Sequence, residues 1–273
     1  MIRIDTIRQG QRVAVWDKQG RVRLVDGPQR LLTFGCKIDT LPHYCAHADQ
    51  YVVIQYIDGH CEHLPGPIDV WFDPVLHQAI YVKEALHLNS NEAIVIYRRT
   101  NGEVERRVQR GPAMFVPHED EWLHEFRWHG ADPKNSQRKI PHALFFEKLR
   151  VIPDQMYHHV EDVRTADDAL LTIKTMVFFE LNDIEQMLDQ THDPIADFIN
   201  AITADVIDFV ATRTFEQFKQ ETDHLNELRT YSNLMLRAER IGYRINKVVY
   251  RGYMAGNTLQ SKCTTEQLKQ EPN

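Results

Sequence analysis

Apolar and polar positions alternate along the first half of the chain in a pattern that returns three times. The β-branched runs Val13-Ala14-Val15, Val52-Val53-Ile54 and Ile94-Val95-Ile96 are each followed by a turn glycine, Gly20, Gly59 and Gly102, and then by a Gly-Pro pair at 27–28, 66–67 and 111–112. The Gly-Pro pairs lie 39 and 45 residues apart, and each follows its turn glycine by seven, seven and nine residues. A period of this size marks a repeated supersecondary unit. Within a unit, alternation on both sides of the glycine predicts an antiparallel hairpin, and Asn101-Gly102 is a strong hairpin turn because both residues tolerate positive φ. The Gly-Pro removes a backbone donor and predicts the end of a strand before a further short one, 30–34 in the first unit and 113–116 in the third. Hairpins this small bury little alone and must pack on their neighbours.

The second half has a different rhythm. The polar stretch 130–140, with Gly and Pro, predicts a linker or loop. Leu171, Ile173, Val177, Phe179 and Leu181 recur at period two, predicting a half-buried strand over 170–181. Asp193-Pro194 then offers an N-cap and a first-turn proline. Ile195, Phe198, Ile199, Ile202, Val206, Phe209 and Val210 follow at three- and four-residue spacing, an amphipathic helix of about seven turns. A second helix is expected over 223–241, with Gly242 as its left-handed C-cap, and then a strand over 243–250. Hairpins followed by strand, helix, helix, strand predict the α+β class. The expected organisation is three hairpin repeats at 1–44, 45–86 and 87–136, an α+β domain at 137–255 and a polar tail at 256–273.

The order Val163-Arg164-Thr165-Ala166-Asp167, a strand ending Phe178-Phe179-Glu180-Leu181-Asn182-Asp183-Ile184, a helix opened by Asp193-Pro194, and Arg240-Ile241-Gly242-Tyr243-Arg244-Ile245-Asn246-Lys247-Val248 resembles the SPFH (band 7) domain of stomatins, prohibitins and flotillins, over about residues 90–255. The hairpin repeats, the stretch 13–28 above all, resemble those of the major vault protein. The resemblance implies self-association into rings or cages, or membrane scaffolding, and no catalytic residue. Two departures stand out: the chain shows no membrane anchor, and 255–273 is too short for the long coiled coil that usually follows the domain.

Composition narrows the function. Lys and Arg number 32 against 39 Asp and Glu, a net charge of −7, which disfavours a nucleic-acid partner. No run of about 18 apolar residues is present and the first ten residues lack the apolar core of a secretory signal, so the expected location is cytoplasmic or peripheral to a membrane. The four cysteines, at 36, 45, 61 and 263, form no CxxC pair and suit reduced thiols.

The 14 histidines are the unusual feature. His43, Cys45 and His47 alternate, so a strand would point them one way, with Cys61 and His63 a little further on; these five are the candidate metal ligands. The opposing reading sets Cys61 and His63 at the hairpin slots of Val22 and Leu24, as fillers. His124 and His129 stand at i+5, not at the i+4 of a zinc-binding helix. His158-His159 reads as an exposed strand edge that could titrate near neutrality. Glu119-Asp120-Glu121 reads as a solvated loop, and Trp122, Phe126 and Trp128 as one strand face. No nucleophile elbow, dinucleotide loop or phosphate loop occurs. The expectation is a non-enzymatic scaffold without cofactor whose partner is itself. The alternatives are an adaptor for a membrane surface or a protein, and a metal-binding protein using the 43–63 cluster.

Overall fold

A computed structural model describes residues 2–256, so the expected tail lies almost wholly outside the described residues. The chain divides into two compact units, one comprising the chain up to Ser90 with Ile96–Trp122, the other Asn91–Val95 with the chain from Leu123 onward. Strands predominate over helix, within a broad α+β class.

One five-strand pattern is used three times over residues 2–123, which fall mostly in the first unit. Its strands are β1 (Ile2–Ile7), β2 (Arg12–Trp16), β3 (Val22–Asp26), β4 (Gln29–Phe34) and β5 (Lys37–Thr40) in the first repeat. The second has β6 (His43–Ala46), β7 (Gln50–Tyr56), β8 (Cys61–Pro65), β9 (Ile68–Trp71) and β10 (His77–Glu84); the third has β11 (Leu86–Leu88), β12 (Glu92–Thr100), β13 (Glu103–Arg110), β14 (Ala113–Phe115) and β15 (Glu121–Leu123). In each repeat the first and fourth strands pair as a two-stranded ribbon, and the second strand pairs with both the third and the fifth. The hairpins sit where the spacing predicts; the ribbon-forming first strand and the closing fifth strand of each repeat carry too little periodicity to be seen in sequence.

Local chemistry explains the hairpins. Asp17 accepts backbone N–H bonds from Gln19 and Arg21, both at 2.9 Å, and Asp58 accepts one from His60 at 3.0 Å. Gly20, Gly59 and Gly102 adopt φ of 79°, 89° and 88°. The Gly-Pro glycines are needed for a different reason. A Cβ at Gly27, Gly66 or Gly111 would overlap the carbonyl oxygen of Arg8, His47 or Asn89, where the chain doubles back between the first and second strands of each repeat.

The second unit continues with β16 (Phe126–Asp132), β17 (Asn135–Phe146), β18 (Leu149–Arg150), β19 (Asp154–Arg164), β20 (Leu170–Leu181), α1 (Ile184–Gln190), α2 (Pro194–Ala211), α3 (Phe215–Glu221), α4 (Ser232–Arg240) and β21 (Tyr243–Ala255). The expected linker at 130–140 is instead the distal end of the β16–β17 hairpin, strand on both sides of a turn at 133–134 where Asp132 accepts the Lys134 N–H at 2.8 Å. The sheet order is β19-β20-β21, and β20 buries Leu171, Ile173, Val177 and Phe179 on one face, as its alternation predicts.

Helix α2 covers sheet strand β19 and packs on α4, burying Phe198, Ile202 and Val206 completely. It runs 18 residues, about five turns rather than seven. Asp193 caps it, accepting the Ala196 N–H at 3.1 Å. The helix expected over 223–241 is broken into two 3-10 turns, Thr222–Asn226 and Leu228–Thr230, before α4. Fully buried Tyr231 reaches back to donate to the Leu225 carbonyl at 2.7 Å, a tertiary anchor that overrides the helical spacing. Buried Asp205 of α2 then caps α4, accepting the N–H groups of Asn233 at 3.0 Å and Leu234 at 2.9 Å. Gly242 has the expected left-handed φ of 77°.

Candidate functional site

The ribbons of the first unit are the most informative surface, because three equivalent positions can be compared. In the second repeat, His43 and Trp71 lie opposite each other and stack with ring centroids 4.4 Å apart. Arg12, on the hairpin of the preceding repeat, sits over the Trp71 ring at 5.6 Å. In the third repeat the corresponding residues, Ala85 and Val116, pack against Tyr51, Val53 and Cys61 of the second repeat's hairpin. Tyr51 occupies the slot of Arg12 shifted by the 39-residue period. The third repeat's ribbon is thus covered by the hairpin of the second, and Trp71 of the second repeat's ribbon by that of the first, with the His43 side chain left 39% exposed.

In the first repeat the same face is open. Ile4 and Leu32 pair across the ribbon, Phe34 lies two residues on, and their exposures are 68%, 67% and 65%. Burying such side chains is worth about 2 kcal/mol each, so three together on one ribbon face mark a contact surface. Lys18 lies 5.2 Å from the Phe34 ring, and Arg30, opposite Thr6, continues the outward face. Neither cation has an ion-pair partner among the described residues. Sequence reading missed all five of these side chains. The signal that could have found them is local charge: residues 1–40 hold eight Arg and Lys against four Asp, whereas 41–85 hold one Lys against six Asp and Glu.

The five candidate metal ligands are dispersed over this framework. His43 lies 3.6 Å from Asp69 while stacking on Trp71. The Cys45 thiol is pushed up from its ordinary pKa, first by its hydrogen bond to Asp69, so it is a poor thiolate ligand near neutrality. His47 gives its carbonyl to the Gln50 N–H at 3.0 Å and occupies the close approach to Gly66. Cys61 packs at the junction between the second and third repeats, and His63 Nδ1 meets the Pro117 carbonyl at 2.6 Å. Among the described residues no three His, Cys, Asp or Glu side chains gather as a metal site.

The remaining sequence candidates also have structural employment. His129 Nδ1 and its backbone N–H both meet buried Asp193, at 2.6 and 2.8 Å, locking β16 to the N-terminus of α2. His158 is not an exposed edge histidine. It is largely buried with Nε2 at 3.0 Å from Thr203 of α2, and desolvation, then the charges of His159 and Lys139, push its pKa down to about 4. Trp122 lies in β15 stacked on Tyr97, whereas Phe126 and Trp128 lie in β16 against Phe146, so the three do not share one strand. Glu121 and Asp120 pair with Arg107 and Arg98, both at charge-assisted distances of 2.9 and 2.8 Å.

The second unit holds a cavity of about 490 Å³ floored by Trp128, Phe146, Phe179 and Tyr243. Its volume is that of a small-ligand site. Burial drives its Tyr243 hydroxyl far up from the ordinary pKa, and that hydroxyl contacts the Met187 sulfur at 3.5 Å. At its rim Lys148 lies 3.7 Å from Glu92. Among the described residues no helix is long and apolar enough to cross a membrane. Compared with protein-family models and with curated proteins, the chain matches none.

Proposed function

We propose that the protein is a non-enzymatic cytoplasmic scaffold that self-associates into homo-oligomers, with vault-like repeats carried on an SPFH/band 7-like domain. The single observation that carries this reading is strand β10. Among the described residues it pairs with β7 alone, forms the edge of its sheet for eight residues, and exposes Tyr81 and Val82. Natural sheets blunt such edges unless the edge is used, since its unpaired N–H and C=O groups template a further strand. Supporting it, each repeat has open edges of the same kind, so protomers set side by side would pair edge to edge, and a closed ring would satisfy every such contact. Native mass spectrometry and light scattering at micromolar concentration should show multiples of the 32.0 kDa chain. Paired Tyr81→Lys and Val82→Lys substitutions should shift the population toward monomer. A monomer alone, across the concentration range, overturns the reading.

A further inference from the structure

The net charge of −7 conceals a sharp polarity. Residues 1–40 carry +4, and residues 41–273 carry −11. The only strongly basic repeat is thus the one whose ribbon is uncovered, with Ile4, Leu32 and Phe34 outward and the unpaired cations Lys18 and Arg30 beside them. Of the equivalent positions, Ala85 and Val116 pack on the preceding hairpin and Trp71 lies beneath Arg12, while His43 stays partly exposed at the margin. The open ribbon continues that interface, so it is a face that takes a partner.

Charge decides which partner. Two copies meeting ribbon to ribbon would bring Lys18 and Arg30 of each against those of the other, a like-charge contact inside an apolar interface. A second copy has no free hairpin to offer either: Arg12 and Tyr51 are engaged by the next repeat, and Ala93, Ile94, Val95 and Ile96 of β12 are fully buried. A flat array of aliphatic and aromatic side chains fringed by unpaired Lys and Arg matches the boundary layer of an anionic bilayer, where the apolar groups enter the acyl region and the cations meet lipid phosphates and carboxylates.

We infer that the ribbon of the first repeat, through Ile4, Leu32 and Phe34 with Lys18 and Arg30, docks reversibly on an anionic lipid surface. The contact is independent of the self-association proposed above, and flotation is scored whatever the oligomeric state.

The test is co-flotation of the full chain with vesicles of phosphatidylcholine alone and of phosphatidylcholine with phosphatidylserine. Binding is expected only with phosphatidylserine and should weaken as salt rises, because exposed charges are screened over about 10 Å at 0.1 M. Lys18→Glu with Arg30→Glu should weaken it more than tenfold, given roughly fivefold per cation at an anionic surface. Leu32→Glu with Phe34→Glu should abolish it, and the milder Leu32→Ser with Phe34→Ser should reduce it should the acidic pair disturb folding by circular dichroism. Leu236→Glu, at an exposed site on α4, should bind as the parent does. Failure to float with phosphatidylserine at low salt, equal binding to both vesicles, or unchanged binding of both ribbon variants overturns the inference. Ribbon variants that alter sedimentation but not flotation overturn it too, and assign the face to a protein.

Discussion

The two units bury their apolar residues by different routes. In the first, each repeat has a small aliphatic cluster, Ile7, Val13, Val15 and Val25 in one case and Ala46, Val52, Ile54 and Ile80 in the next. The second repeat's hairpin also has a further face closed by Ala85 and Val116 of the following repeat, and Arg12 of the first repeat's hairpin reaches over Trp71 of the second. In the second unit, α2 and the β19-β20-β21 sheet close one core around Phe198, which lies 5.1 Å from the Phe179 ring and 5.3 Å from Tyr243. A stack built of like layers has an end, and its terminal face has no internal partner; a helix laid on a sheet covers itself. That is why the exposed apolar triplet belongs to the repeats and why the second unit's longest apolar stripe is silent about partners.

The sharpest break in this comparison is Phe198→Ala, expected to cost about 4 kcal/mol as a large core truncation. In calorimetry it should lower the melting of the second unit and leave the repeats' transition in place; equal loss from both would show that the units unfold as one. Next is Gly66→Ala, at about 3 kcal/mol because the added Cβ meets the His47 carbonyl. Gly27→Ala should cost a similar amount at Arg8, and unequal urea midpoints would show that the repeats are not energetically alike.

Mild acidification tests His158 of the second unit. His158 has an ordinary value of 6.5 and a folded value of about 4, so the unfolded chain takes the proton first. Its contribution is complete above pH 6.5 and is lost as pH falls toward 4, amounting to about 2 kcal/mol at pH 5. The difference in urea stability between pH 7 and pH 5 should shrink by that amount in His158→Gln; an unchanged difference would refute it. Asp205→Ala, which strips the N-terminus of α4 of its acceptor, should cost about 1 to 2 kcal/mol, read as a loss of helical signal and midpoint. The smallest effect is on the stack's open end: Leu32→Ser should change stability by less than about 0.5 kcal/mol, since its side chain is already in water. A larger loss would mean that the ribbon is covered in solution.

The hairpins, the strand at 170–181, the cap at Asp193 and the turn at Gly242 were legible because each rests on local chemistry: alternation, a short polar acceptor, a residue that tolerates positive φ. The short helices α1 and α3 and the ribbon strands β1 and β6 were not, being too brief for periodicity to register. The break at Tyr231 was hidden because its cause, a hydroxyl reaching Leu225 and a carboxylate arriving from α2, lies in another part of the fold. Two histidines show the same limit. His43 looks like a ligand by spacing and His158 like an exposed switch, and only their neighbours, Trp71 and Thr203, reveal stacking and anchoring roles.

Sequence alone determined the repeat, its period, its turn chemistry and the α+β order of elements, since these depend on contacts within a few residues or on a pattern that recurs. It also held the local reversal of charge between the first two repeats. Only the tertiary structure decided which face of each repeat is covered. That depends on residues distant in sequence, Arg12 with Trp71 and Tyr51 with Ala85, meeting across the stack, and it is the contrast with those contacts that gives the open ribbon of the first repeat its meaning.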